Sequence, residues 1–335
     1  MEPPVGLDGL IQEQQERWAP YTDTFADLTP AATHAWYRHV GAMIEERQKR
    51  WRRTAEYERK GMHDLKERLG SDERFGKGLD LFRRAMDTPH FEVEGRAGPD
   101  SARVQRFAVR PMTDDPFLTR ILPLEETLDV FGLPYAAHSS SLEGGPHFQH
   151  HVTADKTSGR FGFLHQINEE GGESYAAAAL WIHFMRRTPG SPPGQGSPGL
   201  AQIRPYVPYS YLWIDKSYIA TAHNIGGFGI FVTSRDLSGG DERTDQNHRY
   251  WIFSDGTSWF EEHANPAFPG FDQDHALSFN DAAPHFSILP NRLYSAAVWC
   301  FGLCDANGTG ADGASFAAAQ IDARMPFVVV AQTRN

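Results

Sequence analysis

Two cysteines in 335 residues, Cys300 and Cys304, cannot staple a fold, so the chain does not read as a small disulfide-framed secreted domain. No apolar run approaches the roughly 18 residues of a membrane-spanning helix, so no membrane span is expected. The first residues, MEPPVGLDGLIQEQQERW, have neither a basic segment nor an apolar core that would mark a secretory leader, and a cytoplasmic location is the expectation. Nucleotide-binding loops, nucleophile elbows and zinc-finger spacings are also missing. Positive charge is scarce overall: 32 Lys and Arg stand against 43 Asp and Glu, a net −11, which argues against a nucleic-acid partner for the whole chain.

What is present divides in two. Residues 38–84 hold 14 Lys or Arg against 9 Asp or Glu, a positive arm on a negative body. In that arm Trp36, Val40, Ile44, Trp51, Ala55, Met62, Leu65 and Leu69 recur at helical spacing, after Thr29 and Pro30 as cap and first position. A helix over residues 29–69 would be about 60 Å long at 1.5 Å per residue. It is expected to project, to pair with a copy of itself, or to break near Gly41 or Gly61. Residues 1–94 thus read as a helical region, a coiled coil or helical hairpin, with a further helix over 72–86. Residues 95–99, rich in Gly and Pro, form the boundary.

Residues 100–335 read as an antiparallel β-sandwich or jelly roll. Residues 104–109 alternate like a strand, and 123–131 allow a helical turn. At the centre stands RFGFLHQINEEGGESYAAAALWIHFMRR, residues 160–187. Gly171-Gly172 suits a tight hairpin, which would set Phe163 opposite Leu180 and Gly162 opposite Trp181. Neither face of this ribbon is polar, so both should be covered. Residues 188–199 hold eight Gly or Pro in twelve and form an exposed loop. Strands follow over 206–222, 228–235, 292–304 and 314–331. Asp255-Gly256 between aromatic runs predicts a second hairpin.

Three groups of residues could carry function. Tyr209, Tyr211, Trp213, Trp251 and Trp259 exceed what one sandwich layer needs and suit stacking on sugar rings, although core packing also explains aromatics. His147, His150 and His151 lie just before the central ribbon, and imidazoles of this kind ligate transition metals, with His165 or His183 as further ligands. Asp305, Asn307 and Asp312 in DANGTGADG have the oxygen-rich look of a calcium loop, though Phe316 stands where an EF-hand glutamate would, and a hairpin turn demands the same residues. The basic run from Arg47 to Arg53, with Trp51 inside it, is of the kind that phosphate backbones or anionic lipids attract, but the surrounding Glu45, Glu46, Glu56 and Glu58 support pairing within the helix or between helices instead. Cys300 and Cys304, four apart on a strand, are buried thiols rather than a disulfide.

The histidines resemble in part the metal motif of the cupins, small barrels that place histidines and a glutamate on adjacent strands. The His-x-His with a following Glu is missing, and residues 269–280 (PGFDQDHALSFN) have the wrong spacing for the second motif, so the family is not assigned. The expectation is a non-catalytic β-sandwich that recognises a glycan or a protein surface and oligomerises through its arm. The aromatic second ribbon, with the loops around residues 188–199 and 263–275, is where the ligand is expected first. The alternatives are a His-ligated, cupin-like enzyme, with Glu143, Glu169 or Glu170 as base, and a structural component of a larger assembly. A transition metal and calcium are the candidate cofactors, neither firmly implied.

Overall fold

A computed structural model describes residues 6–69, 77, 127–144, 148–168, 172–267, 271–278, 283–307 and 314–334. The helix expected over 72–86, the strand over 104–109 and the 95–99 boundary lie outside them. Helices α1 (Leu7–Trp18), α2 (Thr22–Ala26) and α3 (Thr29–Leu69) come first. Twelve strands follow: β1 (Thr127–Gly132), β2 (Ala137–Gly144), β3 (Phe148–Asp155), β4 (Arg160–Asn168), β5 (Gly172–Met185), β6 (Gly199–Asp236), β7 (Arg243–Ala264), β8 (Asp272–Leu277), β9 (Phe286–Ile288), β10 (Arg292–Asn307), β11 (Ala314–Arg324) and β12 (Phe327–Arg334). The protein is a mainly β, antiparallel sandwich preceded by a long helical N-terminal arm.

The 38-residue β6 organises the sandwich. Its first part, Tyr209 to Tyr218, pairs with β11, which pairs with β4 and then β3. Its second part, Thr221 to Asp236, pairs with β10, which pairs with β5 and then β2. Between the two, the register with β7 shifts from Tyr218 to Thr221. Such irregularities bend a strand, and here one strand serves both layers. The layers then face one another. Ser174 Oγ of β5 lies 3.2 Å from His165 Nδ1 of β4, and a Cβ on Gly302 of β10 would sit 2.3 Å from the Phe163 ring.

The expected hairpin over residues 160–187 is therefore corrected. Both strands exist where predicted, but β4 and β5 pair with other strands and meet face to face across the core. Phe163 stands opposite Ile321 and Val152, and Leu180 opposite Val298 and His138. The inference that both faces of this ribbon are covered is right for β5. Ala176, Ala178, Leu180 and Ile182 join the core between the layers, while Tyr175, Ala177, Ala179 and Trp181 join a second core beneath α3.

The hairpin expected at Asp255-Gly256 is corrected too, because both residues lie in mid-β7. Gly256 is there for closeness, since a Cβ would lie 2.3 Å from the His223 ring. The chain reverses instead between β6 and β7, where Gly239 (φ 93°) and Asp241 (φ 49°) take left-handed conformations. Residues 127–131 form β1 rather than a helical turn, and the strand expected over 314–331 is two, separated at Met325-Pro326.

The arm runs unbroken through Gly41 and Gly61. Ala32, Trp36, Val40, Met43, Ile44 and Trp51 are buried on the outer face of the β5–β10–β6 layer. Trp36 meets Trp181 and Trp299 edge to face at 6.4 and 5.9 Å. Up to Trp51, the stripe that sequence offered for self-association is spent inside the chain. α1 packs Leu7, Leu10 and Ile11 on Val130, Phe327 and Val329, and its Arg17, with Arg187, pairs with the buried Asp129.

Candidate ligand site at the mouth of the sandwich

Residues two apart on a strand share a face, so Tyr209, Tyr211 and Trp213 line one side of β6. Tyr209 is buried against Phe228 at 4.9 Å, whereas Tyr211 and Trp213 are half-buried. Phe253 of β7 lies parallel to both, 6.0 Å from Tyr211 and 6.3 Å from Trp213. Gly226 opposite Phe253 makes this possible, because a Cβ there would lie 2.2 Å from the ring.

Polar groups come from β8. Its pairing with β6 slips between Tyr209 and Tyr211, setting His275 opposite Tyr209 and Asp272 opposite Tyr211. In a regular strand residues three apart point to opposite faces; the slip brings these two together. Asp272 Oδ1 lies 2.7 Å from His275 Nε2, and Asp272 Oδ2 accepts the Tyr211 hydroxyl at 2.8 Å. The His275 ring stacks on Tyr209 at 5.4 Å. The hydrogen bonds from His275 and Tyr211 hold the Asp272 carboxyl below its ordinary range, while burial and that carboxylate push Tyr211 up to about 12. The side chains of His275 and Asp272 are 37% and 27% exposed. The result is a row of ring faces beside an ionised carboxylate and an imidazole, all reachable by solvent except Tyr209 and Phe253.

Behind this row the core turns polar. Asp215 Oδ1 and the Ile214 and Ala318 carbonyls accept from Asn224 Nδ2 at 2.8, 2.8 and 3.0 Å. Cys304 donates to Asn224 Oδ1. Burial first, then the Asp255 and Asp305 charges, raises the Asp215 carboxyl well above its ordinary range.

The five aromatics singled out from sequence thus separate. Tyr209, Tyr211 and Trp213 converge. Trp251 lies on the outer face against Phe301, beside α3, because the β7 register slips at Gly226/Gly227 and places it on the other side from Phe253. The Trp259 side chain lies outside the description. Sequence reasoning missed His275 and Asp272: it read 263–275 as a loop, whereas Asp272–Leu277 is strand β8, and their three-residue spacing gives no sign of a shared face without the slip.

The histidines do not converge either. His147 lies outside the described residues. His150, exposed on β3, stands opposite His165, and His151 Nε2 lies 3.0 Å from Thr153 Oγ1 on the other face. His165 is fully buried, and burial pushes it down to about 3. His183 is on the outer face of the other layer, with its ring nitrogens 2.9 Å from Thr29 Oγ1 and 2.7 Å from Ser295 Oγ. Both ring nitrogens are thus within hydrogen-bond distance of hydroxyls. Asp305 lies in β10, fully buried, with Oδ2 3.4 Å from His223 Nδ1, instead of in a loop. Asn307 ends that strand, and Asp312 is not among the described residues. Among the described residues no three His, Cys, Asp or Glu side chains are grouped to hold a metal ion. Cys300 and Cys304 are buried and unpaired with each other, as expected. None of the described helices is long and apolar enough to cross a membrane.

No protein-family model and no curated protein matches the chain. Two solved structures are weakly similar. The enzymatically active domain of tailspike protein 4 of Bacteriophage CBA120 matches at 11% identity and a TM-score of 0.17, over 56% of this chain and 19% of that one. TmCBM61, solved with beta-1,4-galactotriose, matches at 9% identity and a TM-score of 0.13, over 55% of this chain and 88% of that one. The chain spans about a fifth of the tailspike domain's length. Likenesses this weak bear on neither ligand nor mechanism.

Proposed function

We propose that the protein binds a glycan at the mouth of its sandwich, with sugar rings laid on Tyr211 and Trp213 and hydroxyls held by Asp272 and His275. The observation that supports this is the Tyr211–Asp272–His275 group beside parallel aromatic rings. A pyranose has an apolar C–H face and a rim of hydroxyls; ring faces with an ionised acceptor alongside match both. The Asp272–Tyr211 hydrogen bond fixes the ring plane before ligand arrives, which reduces the ordering cost of binding.

The test is a glycan array with the full chain, followed by titration of the best hit. Tyr211→Ala and Trp213→Ala should each weaken binding by about tenfold or more, with Asp272→Asn close behind. Retention of full affinity by the Tyr211→Ala/Trp213→Ala double variant, or silence across the array, would sink the proposal.

A further inference from the structure

The outer face carries a second aromatic site with the opposite charge. On β10, Trp299 and Phe301 stand opposite Gly229 and Gly227 of β6; on β7, Arg249 and Trp251 stand opposite the same two glycines. Without side chains on β6, residues from the two flanking strands meet above it. Phe301 and Trp251 contact edge to face at 5.4 Å, and the Trp299 indole lies where a Cβ on Gly229 would be. The shelf runs from the fully buried Trp299 to Trp251, which is 47% exposed.

Two guanidinium groups sit over that exposed indole. Arg47 Cζ, from α3, is 5.4 Å from the ring centroid, and Arg249 Cζ is 5.6 Å from it. Arg50 is nearby but bonded to Glu46. Neither Arg47 nor Arg249 has a carboxylate within ion-pair distance among the described residues. The Arg249 charge reaches further: with burial it pushes His39 down to about 4. Glu46 offsets the Arg47 charge only in part, as the neighbouring Arg50 and Arg249 act against it, and two cations held over one ring are an arrangement that an anion would relieve.

We infer that Arg47, Trp251 and Arg249 form a binding site for a sulfate-type oxyanion, paired with the guanidiniums, whose carrier, when it has one, lies on the indole. Guanidinium forks match oxyanion geometry, and the shelf beneath holds Trp251 in place. The site is on the opposite face of the layer from Tyr211, so it stands or falls independently of the glycan site.

The test uses the full chain and three probes in low salt: inorganic sulfate, a sulfated disaccharide and its unsulfated counterpart, titrated calorimetrically. Sulfate and the sulfated sugar should bind, the unsulfated one should not, and affinity should fall steeply as NaCl is raised. Arg249→Ala and Arg47→Ala should each weaken binding by about tenfold, with circular dichroism and thermal midpoint unchanged. Trp251→Ala separates the sources: loss confined to the sulfated sugar assigns the indole to the carrier, and equal affinities for both probes in wild type assign the site to the free ion. Absence of binding by both sulfated probes, equal binding of the unsulfated sugar, or wild-type affinity in the Arg47→Ala/Arg249→Ala double variant would overturn the inference. A Tyr211→Ala variant should bind sulfate as wild type does.

Discussion

The two faces of the β5–β10–β6 layer are both buried, yet they are built from different residues. Toward the other layer the side chains are mostly small or aliphatic: Ala176, Ala178, Leu180, Ala296, Val298 and Cys300. Toward α3 they include Trp181, Trp299, Phe301 and Phe231. A second sheet is a broad surface that meets small side chains all along its length, whereas a helix offers one stripe and leaves gaps on either side. Large rings fill those gaps, and beside α3 the row ends in Trp251 of β7, which is left 47% exposed. The kind of cover chosen for each face therefore decides where aromatic surface is left over for function.

The largest break in this comparison should come from removing a ring at the centre of the helix–sheet core. Trp36→Ala is expected to cost about 3–5 kcal/mol, read from the urea midpoint, since Trp36 is fully buried between Trp181 and Trp299. Acid should act next. Burial pushes His183 and His39, both at the helix–sheet face, down to about 4, and His165, between the layers, down to about 3. In the unfolded chain these imidazoles titrate near about 6.5. Below that pH the unfolded state takes up protons that the folded state refuses, so stability is fully present above about 6.5 and is lost as pH falls toward about 4. Each histidine can contribute up to about 1.4 kcal/mol per pH unit in that window, measurable as a falling urea midpoint between pH 7 and pH 5. His183→Gln should flatten the slope. The smallest effect is Trp251→Ala, about 1 kcal/mol or less, because nearly half of that ring is already in solvent. A large loss there would mean that the shelf is structural.

Much of this architecture is legible in the order of residues. An apolar run with no polar face, such as residues 176–182, must be covered on both sides, and the spacing of Trp36, Val40, Ile44 and Trp51 marks a helix with one buried stripe. The candidate ligand site is legible only in its ring row: Tyr209, Tyr211 and Trp213 share a face wherever the strand goes. Asp272 and His275 join them through a slip of register that no local pattern announces.

By itself the sequence determined the helical arm, most of the long strands from residue 160 onward and which of their faces avoid water, because these follow from side-chain periodicity along a few neighbouring residues. The tertiary structure alone decided the partners. Backbone hydrogen bonds are the same for every residue, so nothing in residues 160–187 tells β4 to pair with β11 and β5 with β10 instead of with each other. For the same reason Asp255-Gly256 reads as a turn until the His223 ring is found in the space that the missing Cβ leaves. The arm, too, reads as free to find a partner until the outer face of the sheet, more than a hundred residues away, supplies one.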